Sequence, residues 1–402
     1  GRRIAGRGPP MNAPLGLLTL CQGLLLVNNV TFIAINGLVG LALAPVAWMA
    51  TLPVTGYVAG GALATGLVAR HQRRWGRQRT FQLGLLVAIA SAAVCAWAAV
   101  HRDFWLLVGA TVVAGYYNAN GSLYRFAAVE LVPASMKERA ISWVLAGGIL
   151  GGIVGPNLAQ WTRGVLSQPF AGAYLALCAV ALLSLVLMSF IRFPPLPGQG
   201  DGPSGRPLSE IVRQPVFIVA TAGCAIGYGV MNLLMAATPI AMQQCSHPFS
   251  AAALVLEWHV LGMYVPSFFT GRLIKAYGAL PIMTAGLVLN LACVAMALHG
   301  VDLMHFLGAL LLLGVGWNFL FIGGTALATD AWRPEERTRA QAAVDFCVYA
   351  TMTLTSFASG ALVTTGGWTA MNLGTLAPLA LLGAALAWLA VLRRRQRAGS
   401  TA

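Results

Sequence analysis

Long apolar runs alternate along the chain with short polar breaks, and each run is about 20 residues, the length that crosses a bilayer at a rise of 1.5 Å per residue. Cutting at the charged and Pro/Gly-rich breaks gives twelve spans: 14–37, 44–69, 80–100, 104–128, 139–163, 170–193, 214–242, 250–274, 279–299, 303–328, 338–365 and 369–392. Spans of this kind are expected to be helical, because a helix satisfies its backbone groups within itself in lipid. The longest polar interval, 194–213, holds Pro194, Pro195, Pro197, Gly198, Gly200, Asp201, Gly202, Pro203 and Gly205. Such a density of Pro and Gly predicts a linker. The expected organisation is an all-α membrane protein with twelve transmembrane helices: a six-helix half at 1–193, a linker at 194–213 and a second six-helix half at 214–402.

Composition narrows the class. Of 402 residues, 58% are hydrophobic and only 9% charged, with mean hydropathy +0.75; a soluble domain carries about 25% charged residues. A water-soluble enzyme is excluded on that count. The net charge of +14 is explained by its placement. With both termini cytoplasmic, every Lys and Arg falls in a cytoplasmic segment except Arg102 and Arg163, on the other side, and Arg125, within the fourth span. That is the positive-inside pattern, and it predicts a multi-pass protein lying in the lipid bilayer with both termini cytoplasmic. The basic residues are scattered over many segments rather than gathered in one patch, so no nucleic-acid partner is expected. Gly1 to Pro10 has no apolar stretch before Met11 and reads as a basic cytoplasmic tail rather than a signal peptide. The cysteines at 21, 95, 178, 224, 245, 293 and 347 form no C-x-x-C pair, and no disulfide framework is implied.

The two halves are similar to each other. Gly115-Tyr116-Tyr117-Asn118 aligns with Gly316-Trp317-Asn318-Phe319, Ala127 with Ala328 and Pro133 with Pro334, and mixed-charge clusters follow in both: Lys137-Glu138-Arg139 and Glu335-Glu336-Arg337-Thr338-Arg339. Twelve spans, an internal repeat and a central linker are the pattern of a secondary transporter with its site between the halves. Over essentially its whole length the chain resembles the major facilitator superfamily, which implies two pseudo-symmetric six-helix bundles. The superfamily's loop after the second helix pairs glycines with an acid and basic residues. Here the segment runs from Gly66 through Arg70, His71, Arg73 and Arg74 to Gly76-Arg77, with no acid; the second-half copy, Gly271 to Gly278, has Lys275 where the acid would stand. In the fifth span Gly147, Gly148, Gly151, Gly152, Gly155 and Pro156 are similar to a glycine-proline motif of exchangers, but close helix packing through small residues is the preferred account and no transport direction is taken from them.

The cargo is read from the interior polar residues. Charges within the spans are sparse, namely Arg125, Glu257 and Asp345, whereas soft ligands stand out. Met231 and Met235 are four apart, as are His259 and Met263, so each pair shares a helix face, at similar depth on successive spans. Thioethers with an imidazole form a metal site that favours Cu(I) over hard cations. With 13 Met in the chain, one M-x-x-x-M pair arises by chance about four times in ten, and Met is a common gap-filler. On residues alone the cargo stays open between copper and an unrelated solute.

An M-x-x-x-M followed by H-x-x-x-M on the next span resembles the CcoA-type copper importers of the same superfamily. The resemblance implies that Met231, Met235, His259 and Met263 bind copper and that the ion, or a small copper complex, is imported by alternating access through a bacterial inner membrane. It also implies delivery to a cytoplasmic copper acceptor for assembly of cytochrome c oxidase. Copper is then a transported substrate and no resident cofactor is expected; the carrier is expected to work as a monomer.

Cys224, Met231, Met235 and Met242 are spaced by seven, four and seven, one face of the seventh span. A relay of sulfurs is expected along it, with Cys245 and Cys347 as further relay thiols and core packing as the alternative. Glu257, Asp345, Arg125 and His259 are the residues from which proton coupling would be built. The rival cargo is an aromatic organic solute moved with a proton, stacking on Trp48, Trp143, Trp258 or Trp317. A copper receptor that does not transport is disfavoured by the repeat. No nucleophile and base pair, phosphate loop or zinc spacing is present, so no catalytic residues and no enzyme activity are expected.

Overall fold

The structure is a computed structural model that describes residues 12–133, 137–194, 205–333 and 336–399. Residues 195–204 of the 194–213 linker, and the Pro334 and Glu335 positions, lie outside the described residues, as do the side chains of Lys137, Glu138, Arg139, Arg337, Thr338 and Arg339.

The chain folds as helices α1 Ala13–Leu43, α2 Leu52–His101, α3 Phe104–Gly121, α4 Tyr124–Glu130, α5 Lys137–Thr162, α6 Ala171–Ser189, α7 Leu208–Ile211, α8 Pro215–Gln244, α9 Phe249–Tyr264, α10 Ser267–Tyr277, α11 Ala279–His299, α12 Leu303–Ala328, α13 Arg337–Thr365 and α14 Gly367–Gly399. Helix α2, with the short helical turn before it, makes two crossings, Ala47–Gln72 and Arg74–His101, and departs from helical geometry at Gly76, φ 79°. The equivalent turn in the second half is Gly278, φ 89°, between α10 and α11. Only glycine enters that region without strain, so the repeat seen in sequence is repeated in backbone conformation.

Among the described residues nine helices or arms are long and apolar enough to cross alone, and the α9–α10 pair, bent by 40°, makes a tenth. The other two crossings are α5 and the α3–α4 pair, giving the twelve-helix fold. Two expected spans are therefore not continuous helices. The fourth stops at Gly121 and restarts at Tyr124, and the eighth breaks at Pro266, where the ring lacks a backbone donor and clashes with the preceding turn.

The glycines of the fifth span work as packing surfaces on two sides. A side chain at Gly147 would strike Thr19 of α1, and one at Gly151 would strike Leu26. Gly148 and Gly152 face α9 of the other half instead, against the Tyr264 ring and Val260. The loop acid missing from the sequence motif is supplied from elsewhere. Arg77 Nε donates to Glu130 Oε2 at 2.7 Å and its Nη1 to Gln72 Oε1 at 2.8 Å, tying the α2 break to the end of α4.

The bundle has a basic end, carrying Arg70, Arg74, Arg77, Arg393 and Arg394, and a far end formed by the turns before α2, α6 and α9. At the far end the halves are closed on each other. Thr51 Oγ1 donates to the Ser356 carbonyl at 2.6 Å and accepts from Gly360 N–H at 3.0 Å; Phe170 meets Phe249 with ring centroids 4.7 Å apart, and Trp48 meets Phe357 at 5.7 Å. One buried core spans both halves there, including Phe32, Ile35 and Tyr174 with Leu234, Ile240 and Phe249. Toward the basic end each half keeps its own core, around Phe81 and Tyr124 in the first and Leu320 and Leu386 in the second. A cavity opens where the shared core divides.

Near the basic end, Glu336 is fully buried yet fully bonded: Arg206 Nε and backbone N–H reach Oε1 at 3.0 and 2.8 Å, while Arg206 Nη2 and Arg333 N–H reach Oε2 at 2.8 and 2.9 Å. The Arg206 guanidinium first, and the Arg333 N–H second, hold the Glu336 carboxyl well below the usual carboxylate range. A depressed carboxylate contributes stability above its unfolded pKa, about 4.3 for Glu, and loses it as pH falls toward the folded value. Glu336→Gln is therefore expected to lower the thermal midpoint at pH 7, and the gap to wild type to narrow progressively below about pH 4. Thermal melts of detergent-purified protein across that range check it.

Candidate functional site

The central cavity has a volume of about 270 Å³ and is bounded by α1, α2, the α3–α4 junction, α8, α9, α12 and α13. Its two walls differ in chemistry. The second half contributes an aromatic wall: Tyr228, Tyr264, Trp317, Phe321 and Tyr349. Trp317 and Phe321 are one turn apart on α12, so both project to one side; their rings stack at 5.1 Å and 10°. Tyr228 and Tyr264 meet Trp317 edge-on at 5.2 and 6.0 Å. The indole Nε1 of Trp317 is buried with no hydrogen-bond partner.

The first half contributes amides. Gln22, Asn29 and Asn118 line the cavity with Tyr57. The Tyr57 hydroxyl donates to Asn29 Oδ1 at 2.5 Å, and Asn29 Nδ2 donates to Asn118 Oδ1 at 3.3 Å. Asn28 Nδ2 donates to the Tyr57 oxygen at 3.1 Å. This chain fixes the ring and ties α1 to α2 and α3. Amides within apolar helices are costly unless they face an interior, and here they do. On the other side Asn232 clamps α8 to α13, its Nδ2 donating to Ser356 Oγ at 2.7 Å and the Met352 carbonyl at 3.0 Å.

The residues expected from sequence separate into two groups. Met231, Met235 and Met263 line the cavity, as do Arg125 and Asp345. His259 does not: its Nδ1 bonds the Leu310 carbonyl at 2.7 Å, and its carbonyl lies under Gly314 of α12. The sulfur relay is not continuous along the cavity. Cys224 Sγ approaches the Phe321 carbonyl at 3.7 Å against Gly324, and Met242 is buried in the shared core; the four residues keep one face of α8, but the cavity reaches only its middle. Cys245 and Cys347 lie outside the lining, and all seven cysteines are free thiols. Glu257 also lies outside it, accepting from Asn157 Nδ2 at 3.0 Å and so bridging α9 to α5 of the other half. Of the tryptophans, Trp317 alone lines the cavity among the described residues. Trp48 and Trp258 are 39% and 46% exposed on the outside of the bundle, and Trp143 packs into the first-half core. Sequence reasoning missed Tyr57, Tyr228, Tyr264, Asn29 and Asn118; the signal was there in amides set inside apolar spans.

The family model of the Major Facilitator Superfamily matches residues 15–256 and 223–402. The chain belongs to the major facilitator superfamily. It is 40% identical over 359 residues to "Riboflavin transporter RfnT" of Brucella anthropi, covering 89% of this chain and 90% of that protein. It is 26% identical over 341 residues to "Uncharacterized MFS-type transporter YdeG" of Bacillus subtilis, covering 81% and 79%. Among solved structures it is similar to a bacterial homolog of the human lysosomal transporter Spinster, inward-facing and occupied, with TM-score 0.71 and 15% identity over 94% of this chain and 96% of that one. It is also similar to the human organic anion transporter MFSD10, with TM-score 0.67 and 15% identity over 94% and 100%. At that identity the likeness is one of fold. The protein is thus a multi-pass membrane transporter of this superfamily.

Proposed function

We propose that this transporter carries a flat aromatic solute of the flavin type, by alternating access, with its basic end and both termini on the cytoplasmic side of a bacterial inner membrane. The observation that carries this reading is the two-walled cavity: rings on one side, amides on the other. A flavin offers a stacking surface to Trp317 and an imide edge, with acceptors and a donor, to Asn29 and Asn118. Kinship to a protein named a riboflavin transporter, across nine-tenths of both chains, supports the same class. Twelve helices divide into halves at the 194–213 linker in this reading, and uptake is the expected direction.

Copper is the second reading, and Met231, Met235 and Met263 facing one cavity speak for it. Against it, His259 is not part of the cavity lining that the three methionines share. Delivery to a copper acceptor or to cytochrome oxidase assembly rests only on the resemblance to copper importers. An uncharged solute gains nothing from the membrane potential, so uphill uptake needs a coupled ion. In this proposal Glu257, which accepts a hydrogen bond from Asn157 of the other half, supplies that coupling.

Parallel uptake of labelled riboflavin and labelled copper, in cells that cannot make their own flavin, tests the choice. Wild type is expected to accumulate riboflavin saturably and copper at the rate of empty-vector cells, and His259→Leu is expected to leave riboflavin uptake in place. Copper accumulation lost in a Met231→Leu, Met263→Leu variant, without riboflavin uptake, would instead establish the metal reading.

A further inference from the structure

Arg125 of α4 and Asp345 of α13 belong to opposite halves and line the same cavity near its basic end. They carry opposite charges, yet they are not among the ion pairs within 4.0 Å, which among the described residues are Arg77–Glu130, Arg206–Glu336, His305–Asp302 and Arg393–Asp330. Among the described residues neither side chain has a hydrogen-bond partner, and Arg125 Nε is a buried donor without one. The guanidinium rests on the Phe126 ring, 4.8 Å from its centroid. Ser122 and Tyr349, each about one turn away, bring two hydroxyls to the same region of the lining. Unsatisfied charges are costly inside a membrane protein and mark a pathway or a ligand.

Building on the flavin reading, we infer that Arg125 and Asp345 form a hydroxyl-reading subsite that takes the polyol chain of the cargo, and that Asp345 excludes its phosphate ester. A hydroxyl accepts from the guanidinium and donates to the carboxylate at once, so a chain of hydroxyls satisfies both groups without bringing a charge. The ring system then lies deeper, against Trp317 and the amides. A phosphate at the end of that chain carries a charge near −2, which the Arg125 cation alone would welcome and the Asp345 anion repels. Removing the acid alone converts the subsite into one that accepts phosphate.

Fluorescence titration of the purified full-length protein with three probes tests this: riboflavin, lumichrome, which is the ring system without the polyol, and riboflavin 5′-phosphate. Wild type is expected to bind riboflavin about tenfold more tightly than either of the others. Arg125→Gln should lose that tenfold for riboflavin and leave lumichrome binding unchanged, which also reports a folded cavity. Asp345→Asn should close or reverse the gap between riboflavin and its phosphate. Equal weakening of riboflavin and lumichrome in both variants, as for a pair that only gates the halves, would overturn the inference, as would an unchanged preference over the phosphate in Asp345→Asn. Absence of binding of riboflavin and lumichrome alike by wild type would overturn the flavin reading itself and the subsite with it.

Discussion

Trp317→Phe is expected to weaken riboflavin binding about tenfold, and Trp317→Leu about thirty- to a hundredfold. Stacking a flat heterocycle on an aromatic side chain contributes about 1–3 kcal/mol, and each 1.4 kcal/mol is a factor of ten. Phenylalanine keeps a ring against Phe321 and between Tyr228 and Tyr264 but gives up ring area and the indole N–H, which is buried without a partner. Leucine gives up the stacking surface altogether. Equilibrium titration by flavin fluorescence measures both, and the thermal midpoint of Trp317→Phe, expected within a few degrees of wild type, separates loss of the site from loss of the fold. Unchanged affinity in Trp317→Leu would remove the aromatic wall from the site.

The glycine motif of α5 should split into two phenotypes. At Gly151 even a methyl group overlaps Leu26 and its backbone on α1. Overpacking of this kind costs about 1–3 kcal/mol when side chains can adjust, and more where the obstacle is backbone. Gly151→Leu is expected to give little folded protein. Gly148 points the other way, toward the Tyr264 ring across the gap between the halves. Gly148→Leu is expected to fold within its own half, with normal membrane yield and monodispersity, while uptake falls at least tenfold, because the added side chain both props the halves apart and intrudes beside the cavity. Yield by size-exclusion chromatography and uptake in the same cells distinguish the two. Equal loss of folded protein from both variants would refute the division of roles.

The fold was legible because a bilayer imposes one length on every crossing, and the apolar runs repeat that length twelve times. What sequence periodicity could not show was where a crossing breaks. Val265-Pro266 interrupts a helix inside an apolar stretch, while the break after Gly121 falls in the polar segment Asn118-Ala119-Asn120-Gly121-Ser122, which cutting the chain by span length did not separate. The site was legible in part. Met231 and Met235 share a face that does meet the cavity, but the edge of the cavity runs between His259 and Met263. Positions four apart on a helix differ by about 40° in direction, enough to put Met263 in the lining and turn His259 under α12, where Leu310 takes its Nδ1. The same limit ended the sulfur stripe, since Cys224 and Met242 lie beyond the stretch of α8 that the cavity exposes. Amides give a partial guide. Asn29, Asn118 and Asn232 line the cavity, while Asn36, Asn290, Asn318 and Asn372 are buried elsewhere in apolar spans, because an amide there needs an interior partner of any kind.

Transport by purified protein in liposomes tests the central claim most directly, because it isolates one carrier from every other route. With riboflavin loaded inside, labelled riboflavin outside should accumulate by exchange, saturably and with time. Unlabelled lumichrome should compete and Cu(I) held by a weak chelator should not. Exchange of copper with no exchange of riboflavin would contradict the account.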